Sequence, residues 1–192
     1  MSWENAQLLA GKTIIVTGSS SGIGKETARL CSKMGATVLG VELTKAFDYV
    51  DELYRTDLSD ARSIDALVDA LPEGIDGLAN IAGLPPTAPA EKVLQVNLFG
   101  LKRLTLGLID KMNEGASIVN LASLAGFGWA QSVEVIKASE TADMDALGPF
   151  LQRFNITNEG GRSYFFSKEA LIAWTMQNRW TWRARGIRMN TV

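Results

Sequence analysis

A short apolar run from Lys12 to Thr17 (K-T-I-I-V-T) leads directly into a glycine- and serine-rich turn, Gly18 to Gly24, and the turn leads into a helical pattern. A buried strand that hands over to a helix this abruptly must pack the helix back against the strand, which readies the chain for a parallel neighbour. The remaining sequence repeats the alternation. Ile23, Thr27, Leu30, Cys31 and Met34 form one stripe of the first helix, and Gly35 ends it. Ala36 to Val41 reads as a second strand, and a short third strand falls near Tyr54. Ser59 fits the N-cap of a helix through Ile64, Leu67 and Val68, closed by Pro72 and Gly74. Asp76 to Ile81 is a fourth strand, Ala90 to Met112 a long helix, and Ala116 to Leu121 a fifth strand. Gly161 to Arg185 holds another long helix, and Ile187 to Val192 starts a sixth strand. Strands and helices in this order predict an α/β fold: one doubly wound parallel sheet between helical layers, formed by residues 1–192 as a single domain.

Composition removes whole classes of chemistry. The chain has no histidine, so Ser-His-Asp and Cys-His catalysis and histidine-ligated metals are excluded. Its one cysteine, Cys31, allows neither an internal disulfide nor a cysteine-based zinc site, and its place on the helical stripe marks it as core. No metal is expected. General acid–base work must fall to Tyr, Lys, Asp, Glu or Cys. A formal net charge of −2 gives no general attraction to nucleic acid or to an anionic membrane. No apolar run is long enough to span a bilayer, and a cytoplasmic location is the expectation.

The turn after the first strand suits a phosphate. Its glycines let the backbone approach a ligand, and the helix start offers free N–H groups with a partial positive charge. The spacing is not the common G-x-G-x-x-G pattern, so its position after the first strand carries the inference. Gly18, Ser20, Ser21, Gly22, Ile23 and Gly24 are the candidate contacts. Glu42, eighteen residues past Gly24 (42 − 24), ends the second strand. An acid there accepts hydrogen bonds from both ribose hydroxyls of an adenosine and repels a 2′-phosphate, which favours NAD over NADP. Lys45 nearby weakens that preference, and a plain surface glutamate is the alternative. Asp57 and Leu58, ending the third strand, are candidates for the adenine edge.

Tyr164 and Lys168 stand four apart, on one helix face. A phenol with an ordinary pKa of about 10 is too weak a base at neutral pH, and a neighbouring ammonium favours the phenolate. Such a pair can take a proton from an alcohol or give one to a carbonyl. Out of context the spacing is commonplace, and a surface pair is the plain alternative.

Context decides it. Thr17-Gly18-x-x-x-Gly22-Ile23-Gly24, Asp57-Leu58, Asn80-Ile81-Ala82-Gly83, Asn97 in a V-N-L-F-G run, Ser123, Tyr164-x-x-x-Lys168 and the closing Arg188-Met189-Asn190-Thr191-Val192 occur in order. Together they resemble the short-chain dehydrogenases/reductases over essentially the whole chain. The resemblance implies a Rossmann fold, a nicotinamide cofactor and hydride transfer between that cofactor and an alcohol or carbonyl. It implies Tyr164 as general acid/base, and Lys168 as the group that lowers its pKa and holds the nicotinamide ribose. It implies Ser123 as a hydrogen-bond donor to the substrate oxygen, and Asn97 as the holder of a relay water. Asn80, Ala82 and Gly83 would flank the cofactor. Asn97 as a helix kink and Ser123 as a strand cap remain open as structural readings.

Three departures from the family pattern bear on substrate. Ser123 and Tyr164 are 41 residues apart (164 − 123), more than usual, and the extra segment, about residues 129–158, has helical patterning. That insertion resembles the branch holding 3α-hydroxysteroid dehydrogenase/carbonyl reductase and bacterial coniferyl-alcohol dehydrogenases. It is expected beside the active-site mouth or over a subunit interface. Phe166 replaces a usually small residue, which is expected to alter packing near the cofactor. Ending at Val192, inside a predicted central strand, leads us to expect a fragment that lacks the last strand. Phe127 and Trp129 offer aromatic surface to an aromatic alcohol, or serve as core. Leu98, Leu101, Leu104 and Leu108, with Trp174, Trp180 and Trp182, lead to an expected homodimer or homotetramer through helices 90–112 and 161–185. The substrate expected is an aromatic allylic alcohol such as coniferyl alcohol, with a 3α-hydroxysteroid as the alternative. An inactive NAD-binding regulator is the alternative of another class.

Overall fold

The computed structural model describes residues 7–44 and 48–192, so Lys45 lies outside the described residues. Six strands, β1 (Thr13–Thr17), β2 (Thr37–Glu42), β3 (Glu52–Arg55), β4 (Ile75–Asn80), β5 (Met112–Asn120) and β6 (Arg188–Thr191), form one parallel sheet in the order β3-β2-β1-β4-β5-β6. The order reverses between β1 and β4, which opens a crevice at the strand C-termini there. Register places Leu39, Ile15, Leu78, Ile118 and Met189 in one row across five strands, and each is at most 3% exposed. This row faces the larger core, shared with α2 (Ala61–Ala70), α4 (Leu101–Leu108) and α7 (Arg162–Asn178). The alternate residues Val16, Val38 and Ala79 face a smaller core with Ala28 of α1 (Gly22–Lys33).

Local structure departs from the sequence expectation at four places. Asp60, not Ser59, caps α2: its carboxylate accepts the Arg62 N–H at 3.0 Å, while the Ser59 hydroxyl donates to Asp57. On α1, Ile23 is 59% exposed because it stands at the open helix start, and Gly24 and Ala28 make the contact with the sheet. The helix expected over residues 90–112 is broken into α3 (Ala90–Leu94), a π-helical turn (Gln95–Gly100), α4 and a short 3₁₀ turn. Met112 already begins β5. The π turn forms where the Asn97 amide clasps the Leu84 backbone, accepting its N–H at 2.7 Å and donating to its C=O at 3.0 Å. The last helix starts at Arg162 and ends at Asn178, with Arg183–Arg185 in a separate 3₁₀ turn.

The segment between Ser123 and α7 is helical: a 3₁₀ stretch (Leu124–Ser132), α5 (Val133–Ser139) and α6 (Gly148–Arg153). It packs on α7. Phe166 is fully buried with its ring 5.8 Å from that of Phe150, so this unusual side chain anchors the extra segment. Buried Glu169 accepts from the Ser132 hydroxyl at 2.6 Å and from Arg162 at 2.9 Å. Leu98, Leu101, Leu104, Leu108 and Trp174 are buried within the chain itself, and Trp180 is exposed. Among the described residues no helix is long and apolar enough to cross a membrane.

Candidate active site

A cleft of about 630 Å³ opens where β1, β2 and β4 end. Gly18 and Ser20–Gly24 form one wall, Glu42 stands at the end of β2, and Asp57 and Leu58 follow β3. Ala82 and Gly83 close it beyond β4, with Leu121 at the far end. The turn is built by close approach. A Cβ on Gly24 would fall 2.0 Å from the Gly18 carbonyl oxygen, and Gly18 itself holds φ of +70° against Ala82. No side chain caps the first turn of α1, and that turn carries no acidic residue. Its N–H groups are therefore open to an anion.

The Glu42 carboxylate accepts the Ser20 hydroxyl at 2.6 Å and the Leu43 N–H at 2.8 Å, which fixes it at the rim. The Ser59 hydroxyl donates to Asp57 at 2.6 Å and holds that carboxyl below the usual carboxylate range. Sequence reasoning gave no role to Thr17. Its buried hydroxyl oxygen accepts the N–H groups of Ile81 and Ala82 at 2.9 and 3.0 Å, pinning the loop after β4 to the end of β1. Its position directly before Gly18 was the available signal. Asn80 is not in the cleft wall. Its side chain is 2% exposed and points into the larger core, where it donates to Thr105 and Asn120 at 2.9 Å each. Strand parity explains this, because Asn80 lies two residues from core-facing Leu78.

Beyond Leu121 the helix α7 brings up Tyr164 and Lys168. The Lys168 ammonium lies 5.7 Å from the centre of the Tyr164 ring and donates to the Leu121 carbonyl at 2.7 Å. Lys168 is 5% exposed, and burial pushes its pKa down to about 8. Asn97 is linked to this helix: its amide donates to the Ser167 hydroxyl at 3.4 Å, and that hydroxyl donates to the Tyr164 carbonyl at 2.7 Å. Ser123 caps the following 3₁₀ stretch, its hydroxyl oxygen accepting the Ala125 N–H at 3.2 Å, so the hydroxyl proton is left for another acceptor. Phe127, four residues on, is 88% exposed, whereas Trp129 packs against the core. Among the described residues no three His, Cys, Asp or Glu side chains are placed to hold a metal.

The family model for short chain dehydrogenases matches residues 12–142. Coniferyl-alcohol dehydrogenase of Pseudomonas sp. (strain HR199 / DSM 7063) is 40% identical over 186 residues, covering 96% of this chain and 72% of that protein. The 3-alpha-hydroxysteroid dehydrogenase of Pseudomonas sp. B-0831, solved with NADH, superposes with a TM-score of 0.77 at 27% identity. It covers 94% of this chain and 70% of that one. A Burkholderia cenocepacia J2315 short chain dehydrogenase solved with NADP gives a TM-score of 0.70 at 23% identity, over 95% of this chain and 73% of its own, and shares the fold. By the match over residues 12–142 and by these likenesses, the chain belongs to the short-chain dehydrogenase family and so to the oxidoreductases.

Proposed function

We propose that this chain is an NAD-dependent alcohol dehydrogenase whose substrate is an aromatic allylic alcohol of the coniferyl-alcohol type. The observation that carries the chemistry is the buried Lys168 ammonium beside the Tyr164 ring, at the end of a cleft that reaches Leu121. A dinucleotide fits the cleft: the uncapped α1 N-terminus meets its pyrophosphate, and Gly24 leaves room where a Cβ would collide. Glu42, held at the rim by Ser20, accepts ribose hydroxyls and repels a 2′-phosphate, which supports NAD. A bound nicotinamide would accept or supply the hydride. Tyr164 takes the hydroxyl proton of the alcohol, or returns it to the carbonyl. The ammonium of Lys168 stands 5.7 Å from the centre of that ring. Ser123 donates its free hydroxyl proton to the substrate oxygen. Asn97 holds α7 in place through Ser167 and Tyr164, a role its clasp on Leu84 supports alongside any relay of water.

The likeness to the coniferyl-alcohol dehydrogenase supports the substrate class, and exposed Phe127 near Ser123 offers an aromatic surface for it. The structural likeness to the 3-alpha-hydroxysteroid dehydrogenase supports a second reading, a secondary steroid alcohol as substrate. Turnover at 340 nm with the two alcohols side by side separates them. Tyr164→Phe should lower turnover by about 10²-fold or more while NAD affinity, measured by calorimetry, stays close to that of the unaltered chain. Turnover that survived this substitution would remove Tyr164 from the chemistry. NADP binding more tightly than NAD would overturn the part given to Glu42.

A further inference from the structure

Two hydrogen-bonded ties fasten α7 to the end of β5. The first is the Lys168 ammonium on the Leu121 carbonyl. The second lies two helical turns on, where the Asn120 side-chain amide donates to the Thr175 hydroxyl at 2.9 Å. Asn120 ends β5 and Leu121 follows it directly, and Lys168 and Thr175 are seven apart on one helix face. Asn120 is 0% exposed and Thr175 is 4% exposed.

The second tie belongs to a chain of hydrogen bonds that runs across the sheet with one direction at each step. The Thr175 hydroxyl gives its proton to the Leu171 carbonyl at 2.8 Å, so toward Asn120 it can only accept. Asn120 in turn accepts from the Asn80 amide, which also donates to Thr105, and Thr105 gives its proton to the Leu101 carbonyl at 2.8 Å. Asn80 reaches the first tie as well, since its backbone carbonyl accepts the Leu121 N–H at 2.9 Å.

Such ties matter because of how α7 is buried. Phe166, Ala170, Leu171, Ala173 and Trp174 are all covered, and these residues bury α7 by apolar contact alongside its polar ties at Ser167 and Glu169. Burial of that kind is non-directional and says little about rotation or height along the axis. Hydrogen bonds have a required distance and angle, and they supply what packing leaves free.

We infer that Thr175, acting through Asn120, is a positioning residue that fixes the rotation and height of α7 and so keeps the Lys168 ammonium on the Leu121 carbonyl beside Tyr164. The inference rests on the proposed role of Lys168. On α7 the Tyr164 ring stands 5.7 Å from that ammonium, and the charged residues Arg162 and Glu169 of the same helix are paired with each other. The end of β5 presents uncharged Leu121, Ala122 and Ser123. The 3₁₀ stretch packs Gly126 on the Lys168 backbone carbonyl, and the π turn reaches α7 through the Asn97–Ser167 hydrogen bond. A displaced helix therefore changes the access of water to Lys168 more than its charged surroundings.

The test is the titration of Lys168 in the full chain, followed by NMR of 13Cε,15Nζ-labelled lysine and assigned with Lys168→Met. Thr175→Val should move the midpoint by about half a unit or more toward the ordinary lysine value, as water reaches the ammonium. Thr175→Ser restores the hydroxyl and should stay within about 0.2 units of the unaltered chain. Thr105→Val deletes the matching hydroxyl at the α4 end of the same chain. It should cost similar thermal stability and move the midpoint by less than about 0.2 units. Asn120→Ser removes the tie from the strand side and should reproduce the Thr175→Val displacement, which keeps the test decisive if the valine variant does not fold. An unmoved midpoint in the folded Thr175 and Asn120 variants, or an equal movement in Thr105→Val, overturns the inference. No substrate is turned over in this measurement, so its failure is distinct from failure of the Tyr164→Phe assay.

Discussion

Lys168 shows how a single side chain can be useful and costly together. Burying an ammonium strips it of water, and the Leu121 carbonyl with the Tyr164 ring replaces only part of that hydration. Its folded pKa of about 8 lies below the ordinary lysine value, so folding disfavours the charged form. Between about 8 and about 10.4 the unfolded chain binds more protons at this site than the folded one, and the contribution of this site to stability rises with pH across that window. Lys168→Met removes the burden. At pH 7 its melting temperature should equal or exceed that of the unaltered chain, while turnover is lost. The difference should then shift in favour of the unaltered chain as pH passes 8. Thermal melts of both proteins from pH 7 to 10 check this, and a pH-independent difference would contradict a buried titrating Lys168. That Tyr164 and Lys168 share a helix face was legible from their spacing, whereas their weight as a pair came from the ordered motifs around them. The Leu121 partner was not, because a backbone carbonyl leaves no mark in the sequence. Asn80 was open to a better reading, since its parity with Leu78 points it away from the cleft.

At the scale of elements, apolar patterning located every strand and the main helices, and it failed where helix geometry changes. A π turn adds one residue to a helix without disturbing the apolar stripe much, so residues 90–112 read as continuous. What breaks them is a distant partner, the Leu84 backbone held by Asn97, together with Gly100 beneath the Leu58 carbonyl. The extra segment before α7 was legible as helical, but its anchors were not: Glu169, Arg162 and Ser132 are polar residues that sequence places anywhere on a surface. Gly126 is a close point of that docking. A Cβ there would lie 2.8 Å from the Lys168 carbonyl oxygen and 2.5 Å from Ile172 Cδ1, so an added methyl must lift the 3₁₀ stretch off α7. Gly126→Ala should cost about 1–3 kcal/mol of stability, as overpacked sites do. Because Ser123 caps the same stretch, KM for the alcohol should rise while the NAD dissociation constant holds steady. A variant with native stability and unchanged KM would show that the segment docks without this contact.

Among the described residues, the two faces of the sheet are covered unequally. One face of the sheet carries α2, α4 and α7 over a large contiguous core, while α1 covers the other face with a small cluster around Val16, Val38 and Ala79. An apolar groove of about 410 Å³ remains beside α1, walled by Ile14, Cys31 and Val119 among others. Cys31, expected as plain core, is accordingly half-buried at its edge. Local opening is favoured where few apolar contacts must be given up. The amides of α1 should therefore exchange with solvent through a smaller opening free energy than those of α4 and α7, in native-state hydrogen exchange. The same helix supplies the uncapped N–H groups and the glycine turn at the cleft, so the proposed nucleotide site is built on the face with the smaller core. A ligand that binds only the closed form adds its binding free energy to the opening cost, about 2.7 kcal/mol at a hundredfold excess over its dissociation constant. NAD at that excess should slow exchange in α1 and the Gly18–Gly24 turn, and should slow by a similar factor those amides of α4 and α7 that exchange through global unfolding. Uniform exchange across α1, α4 and α7 without nucleotide would mean that the two cores open together, and that α1 is held by more than its own small cluster.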